Sequence, residues 1–204
     1  MIGPADYYSR VKIMQKKIII TGFGGQGVIM AGRIVGKAAA LGDKLESSLV
    51  QSYGPESRGG ACSVQVTIAD EQIYYPYINI PDILVCMSQA GFDKYRDQLE
   101  KETVLIIDQD LVKTELEHDY YAVPATRFAE EMGLKMMANI IMIGFLSGIT
   151  GVVSLESAKK TVSESVPPKT VEINVKAFDR GWEFAKATLK SKLKKASGIT
   201  GVVQ

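Results

Sequence analysis

The chain has 204 residues, of which 46% are hydrophobic and 23% charged, with a formal net charge of +1. That is one domain of ordinary size with enough apolar material for a core. The charge balance gives no electrostatic case for a nucleic-acid or acidic-membrane partner.

Residues 1–14 are read as a flexible N-terminal extension, and Met14, directly before "QKKIII", offers an alternative start. Residues 17–21, "KIIIT", are a short β-branched run that predicts a buried strand. After the glycines of residues 22–27, Val28, Ala31, Val35 and Ala38 recur at helical spacing, so a helix is expected to about Leu41, stopped by Gly42. "KLESSLVQSYG" is weakly strand-like and leads into the loop "PESRGG". "CSVQVTI" alternates, with Val64, Val66 and Ile68 on one face, and "ADEQ" is expected to turn it into "IYYPYI" as an antiparallel hairpin.

"DILVCM" reads as a second buried strand and "AGFDKYRDQLE" as a short amphipathic helix. "TVLIID" is a third strand and "YYAVPA" a fourth, shorter one. "TRFAEEMGLKMMANIIMIGFLSGI" is helical with a break near Gly133, and "SLESAKKTVSESV" is a helix stopped by Pro167-Pro168. Phe178, Trp182, Ala185, Leu189 and Leu193 line one face of a basic C-terminal helix, and residues 196–204 are a tail. "SGITGVV" occurs at 147–153 and 197–203 with no period joining the copies, and nothing physical explains it.

Alternation of strand and helix predicts an α/β class: a single three-layer Rossmann-like domain over 15–195, its sheet mainly parallel with an antiparallel hairpin. In such sheets the loops at the carboxyl ends of the strands line the usable crevice. Here they are Gly22–Gly27, Ser88-Gln89, Asp108-Gln109 and Val123-Pro124.

Several chemistries are excluded. Two isolated cysteines, Cys62 and Cys86, and a single histidine, His118, cannot build a four-cysteine cluster or a structural zinc site from this chain alone. A nucleophilic triad could be routed only through His118, which sits in polar "ELEHDYY" and reads as a surface residue. "MANIIMIGFLSGITGVV" is too short and too broken by Gly144, Gly148 and Gly151 to span a membrane. The N-terminus lacks the apolar segment of a secretory signal, so a cytoplasmic location is expected.

Gly22, Gly24 and Gly27 satisfy the G-x-G-x-x-G spacing of dinucleotide loops, and the amides around Gly25–Val28 sit where a helix begins. The acid such a site needs about 20 residues on is misplaced. Asp43 and Glu46 stand at the start of the second strand, whereas its carboxyl end carries Gln51, Ser52 and Tyr53. A tight turn that packs helix on strand explains the glycines equally. An independent NAD- or FAD-binding oxidoreductase stays open as the rival reading. Its one acid–base candidate is Asp108, otherwise a cap or turn former. The loop "QSYGPESRGG" gathers Tyr53, Gly54, Pro55, Glu56, Arg58, Gly59 and Gly60. It is either a solvated turn with a local ion pair or a rigid platform that offers a carboxylate and a guanidinium.

"GFGGQGV", "SYGPESRGG", "PDILVCMSQAGFDKY" and "VPATRFAEEMG…ANIIMIG" follow one another in a pattern that resembles the gamma subunit of 2-oxoacid:ferredoxin oxidoreductases, over roughly residues 15–185. Pyruvate-type gamma subunits tend to carry Arg-Arg-Gly-Ala after their loop, so "YGPESRGG" resembles the 2-oxoglutarate branch. The resemblance implies a subunit of an enzyme that converts a 2-oxoacid and coenzyme A to an acyl-CoA (succinyl-CoA from 2-oxoglutarate), carbon dioxide and reduced ferredoxin. It also implies thiamine diphosphate, Mg2+ and [4Fe-4S] clusters on partner subunits, with no catalytic residue or metal ligand here and an inactive isolated chain. No Gly-Asp-Gly…Asn-Asn motif is present, in keeping with that division. Expected partners are the other subunits, and ferredoxin through the complex. Gly22, Gly24, Gly25, Gln26, Gly27, Tyr53, Gly54, Glu56, Arg58, Gly59 and Gly60 are the candidate contacts. They would either dock partner subunits or help hold coenzyme A phosphates or the far carboxylate of the substrate. Tyr74, Tyr75 and Tyr77 read as interface, while Met132, Met136, Met137 and Met142 are either interface or ordinary core.

Overall fold

A computed structural model describes residues 15–53 and 61–196. Its strands are β1 (Gln15–Phe23), β2 (Glu46–Tyr53), β3 (Ala61–Ala69), β4 (Ile83–Cys86), β5 (Val104–Asp108) and β6 (Tyr120–Val123). Its α-helices are α1 (Val28–Lys37), α2 (Gln89–Tyr95), α3 (Ala125–Glu131), α4 (Ala138–Thr150), α5 (Leu155–Ser165) and α6 (Val171–Ala196). One six-stranded sheet has the order β2-β3-β1-β4-β5-β6. The pairings β1–β4, β4–β5 and β5–β6 are parallel, while β3 lies antiparallel to both β1 and β2.

The strand "IIIT" is buried on both faces, as a central parallel strand must be. Ile18 and Ile20 face the larger core with α1 and α3–α6, whereas Ile19 faces a smaller core with Phe92 and Tyr95 of α2. The three layers are therefore unequal: nearly all helical mass lies on one face. On that face α4 and α6 approach until backbone meets backbone. A Cβ added at Gly144 would come closer than 3.0 Å to the carbonyl oxygen of Phe178, and one at Gly181 equally close to that of Ile141. The apolar line on α6 holds at Phe178, Trp182 and Ala185 but runs out at Leu193, which is exposed on the final turns.

The hairpin is the main correction. "IYYPYI" forms no strand with β3, whose antiparallel partners are β2 and β1. The reason is competition for edges: β3 already pairs on one side with β1 and on the other with β2. Pro76 further weakens the segment as a strand, because it has no backbone donor. A side chain holds the segment instead. The Ile78 amide donates to Gln65 Oε1 at 2.8 Å, and Gln65 Nε2 donates to the Ile78 carbonyl at 3.4 Å. The expected break near Gly133 is present, between α3 and a short 3-10 turn at Lys135–Met137. Gly133 there takes a positive φ of 81°.

Gly181→Ala drives a methyl into the α4 backbone, where overpacking costs about 1–3 kcal/mol or more. We expect a lower urea midpoint for this variant. An unchanged midpoint would mean that α4 and α6 can move apart freely.

Candidate functional site

The carboxyl ends of β1, β4, β5 and β6 share one end of the sheet and carry the loops expected to form the crevice. Gly22 is the penultimate residue of β1, and Gly24, Gly25, Gln26 and Gly27 follow directly before α1. Gly27 takes a left-handed conformation, with φ 74°, as the residue before α1. Asn139, at the start of α4, packs on it and donates from Nδ2 to the Gly27 carbonyl at 3.2 Å. Gln26 folds back over the loop. The Phe23 amide donates to Gln26 Oε1 at 2.6 Å, and Gln26 Nε2 donates to the Met87 carbonyl at 2.9 Å. A carboxamide thus fills the cleft between the ends of β1 and β4.

The second loop can be placed by its anchors. Tyr53 ends β2 and Ala61 begins β3, with Tyr53 and Gly22 both in register with Cys62, and Phe23 with Ala61. At sheet spacing Tyr53 lies two strands, about 10 Å, from the glycine turn. Gly54, Glu56, Arg58, Gly59 and Gly60 lie outside the described residues, as do residues 1–14. The structure therefore brings Tyr53 and Ala61, which flank residues 54–60 in the sequence, to the end of the sheet that bears the glycine loop.

A dinucleotide reading fails on this geometry. It requires the strand after α1 to lie beside β1 with its acid at the carboxyl end. Here antiparallel β3 occupies that place. Glu46 sits at the opposite end of the sheet, in register with Ala69, which itself pairs with Gln15. Asp43 is consumed by the fold: its Oδ1 accepts from Ser154 Oγ at 2.5 Å and from Ser157 Oγ at 2.7 Å, and its Oδ2 from the Ser154 amide at 2.8 Å. It fixes the residue that caps α5, a role sequence spacing did not reveal because the partners are more than 100 residues away.

Asp108 resolves as a turn former and cap rather than an acid–base group. It is fully buried. Its carboxylate accepts from the Asp110 amide at 3.0 Å, from the Thr126 amide at 3.1 Å and from Thr126 Oγ1 at 2.7 Å. It thereby supplies the cap that α3 lacks from its own Pro124. Burial pushes its pKa above the usual aspartate value, against the pull of those hydrogen bonds, with the nearby Asp110 charge adding to the rise. His118 is half-buried, with Nε2 2.9 Å from the Thr103 carbonyl oxygen. Cys62 and Cys86 are buried and unbonded, and burial raises both thiols. They belong to the opposite cores of the sheet, so they cannot share a cluster. Among the described residues no group of three or more His, Cys, Asp or Glu side chains could hold a metal ion. No helix among them is long and apolar enough to cross a membrane.

The methionines divide. Met137 and Met142 are buried, Met132 packs partly buried against the larger core, and Met136 is exposed. Tyr74, Tyr75 and Tyr77 are all exposed.

Comparison with known proteins bears on this arrangement. Residues 17–184 match the family described as pyruvate ferredoxin/flavodoxin oxidoreductase. The chain is 50% identical over 182 residues to the 2-oxoglutarate synthase subunit KorC of Methanocaldococcus jannaschii, covering 87% of this chain and 97% of that protein. The crystal structure of the keto/oxoacid ferredoxin oxidoreductase gamma subunit from Geobacter sulfurreducens is 38% identical, with a TM-score of 0.77, covering 85% of this chain and 97% of that one. A structure of the 2-oxoglutarate:ferredoxin oxidoreductase of Magnetococcus marinus, with 2-oxoglutarate, coenzyme A and succinyl-CoA bound, is 25% identical with a TM-score of 0.77. There the match covers 85% of this chain but 31% of the other.

Two outcomes test the site. Gln26→Ala removes both loop bonds and is expected to cost about 1–2 kcal/mol in denaturant unfolding. Titration with NAD or FAD should stay silent for parent and variant alike, and uptake of heat by either would reinstate the nucleotide reading. The Asp108 carboxyl, its pKa raised in the fold, contributes stability below its ordinary value of 3.8, and that contribution is lost as pH rises through the folded value. Relative to Asp108→Asn, the parent chain should therefore lose stability from acid toward neutral pH. A constant difference across that range would count against the burial argument.

Proposed function

The chain belongs to the pyruvate ferredoxin/flavodoxin oxidoreductase family, and we propose that it serves as the gamma subunit of a 2-oxoglutarate:ferredoxin oxidoreductase. The observation that carries this is the end-to-end likeness to a 2-oxoglutarate synthase subunit, half identical and covering 97% of it. The reaction would convert 2-oxoglutarate and coenzyme A to succinyl-CoA and carbon dioxide, with the electrons passed to ferredoxin. Thiamine diphosphate and iron–sulfur clusters carry that chemistry, and this chain's described residues do not suit them. The two cysteines are on opposite faces of the sheet and the buried carboxylate is satisfied internally. We therefore place thiamine diphosphate, Mg2+ and the [4Fe-4S] clusters on partner subunits.

The contribution of this chain is a shaped surface. The glycine turn, Ser88-Gln89 and the strand-end residues Tyr53 and Ala61 gather at one end of the sheet. The glycine turn, held by Gln26 and Asn139, would keep its form when a partner docks, so little ordering entropy is lost. Arg58 is the one side chain between Tyr53 and Ala61 in the sequence able to grip a carboxylate or phosphate bidentately. Assembly is the primary role assigned to it, with contact to coenzyme A or substrate as the second reading.

The test begins with the untagged chain purified from its own cells. A large complex with thiamine diphosphate and iron should reduce a viologen dye with 2-oxoglutarate and coenzyme A, and far less with pyruvate. A lone chain that carries flavin or nicotinamide would overturn the subunit reading. Within the complex, Arg58→Ala should release this chain with no ligand-specific effect. A raised KM for coenzyme A or for 2-oxoglutarate in an intact complex would assign Arg58 to that ligand instead.

A further inference from the structure

We propose that the segment Tyr74–Ile80, on the thinly covered face of the sheet, is a docking surface for a different subunit of the same complex. The surface this fits is apolar at its centre and basic at its rim. The inference rests on the subunit reading above and adds a location and a chemistry to it.

Among the described residues five α-helices pack on one face of the sheet and α2 packs on the other, against β1, β3 and β4, with Tyr95 Oη 2.7 Å from Ser63 Oγ of β3. Past Ser63, at Gln65 of β3, that second face is crossed by an irregular strap, pinned at Ile78 by the Gln65 carboxamide and by burial of the Ile78 side chain. What the strap presents outward is apolar and aromatic. Tyr74 is 86% exposed, Tyr75 63%, Tyr77 57% and Ile80 47%. The rings of Tyr75 and Tyr77 lie 5.5 Å apart, so part of the patch is already ordered. A contiguous group of large exposed side chains on a pinned segment marks an interaction site more often than a solvated loop. Tyrosine loses little rotamer freedom on docking and brings a hydroxyl for the rim.

Charge argues against a second copy of this chain as the occupant. Asp70 and Glu71 begin the strap, and Glu46 stands beside them through the Glu46–Ala69 pairing. All three are exposed, and none forms an ion pair among the described residues. The strand residues on this face bring a single cation, Lys17, opposite Thr67. A second copy docking through this face would bring only Lys17 from its strands to these carboxylates, whereas a basic rim on another polypeptide would complement them. The Magnetococcus marinus chain points the same way, since the unit matched here makes up only 31% of it. In that protein the remaining polypeptide is tied covalently to the equivalent unit, which gives that unit a neighbour of different sequence.

The experiment uses the whole complex, co-produced from its subunits, with Tyr74→Ser and Tyr77→Ser combined in this chain. Both side chains lie outside the core, so the unassembled variant should keep the parental melting midpoint. The fraction of chain that elutes with thiamine- and cluster-bearing subunits should fall at least tenfold. An unchanged fraction, with unchanged resistance to salt, would overturn the docking surface while the subunit reading stands. A parental free chain that is a dimer, made monomeric by the variant while the complex stays intact, would assign the patch to a second copy and overturn the proposal. If the parental chain assembled with no other subunit, both the subunit reading and this surface would fall. Glu71→Lys gives a test independent of the tyrosines. Assembly should weaken most at low ionic strength, and no change there would sink the basic rim.

Discussion

The arrangement depends on one constraint: β3 runs antiparallel between β1 and β2. A parallel sheet of Rossmann type places its second strand beside its first and thereby builds a nucleotide crevice. The reversed strand opens that relation. It carries the carboxyl end of β2 two strands from the glycine turn and leaves Asp43 and Glu46 away from the crevice. It also sets Ala61, the first residue of β3, at the same end as the loop of β1. Because both edges of β3 are used, the chain that follows cannot continue the sheet. It must cross the face instead, with its tyrosines turned outward.

The glycine turn shows how a familiar spacing can serve a different end. In a nucleotide site its amides would face open crevice. Here the Gln26 side chain occupies one amide and the Met87 carbonyl, and Asn139 closes on Gly27 from the far end of the sequence. A Cβ at Gly27 would collide with Asn139, and one at Gly22 with Gln26. The glycines are needed because side chains from elsewhere in the fold come close, which fits a turn built to pack and to hold a rigid outline.

Much of this was legible in the sequence because it rests on local period. The buried runs at 17–21, 83–86 and 104–108, the helix after Gly27 and the break near Gly133 all follow from spacing of apolar residues and glycine. What was not legible depends on which strand wins a shared edge. "IYYPYI" alternates as a strand should, and Pro76 was the residue that argued against it. The partner of "CSVQVTI" could not be read locally, since "ESSLVQSY" is polar and only weakly strand-like until β3 pairs with it. The role of Asp43 was hidden for the same reason, its partners lying on α5. The exposure of Leu193 reflects geometry that spacing cannot report: α6 is 26 residues long and outruns the core it packs on.

Asymmetry in the layers ties the two surfaces together. Helices α1 and α3–α6 close one face of the sheet, and glycine-to-backbone contacts between α4 and α6 leave that side rigid. The other face carries α2 alone among the described α-helices, and β2 and β3 bring Tyr53 and Ala61 to the crevice end. The strap and the crevice loops are thus two borders of one half-sheet. A body that covered the tyrosines would lie near Gln65 of β3, four residues, about 13 Å, along that strand from Ala61 at the crevice end. The unused chemistry of the chain agrees with that geometry. Its buried carboxylate is satisfied, its thiols are buried on opposite faces, and the most exposed aromatic groups among the described residues stand on the side that carries one α-helix.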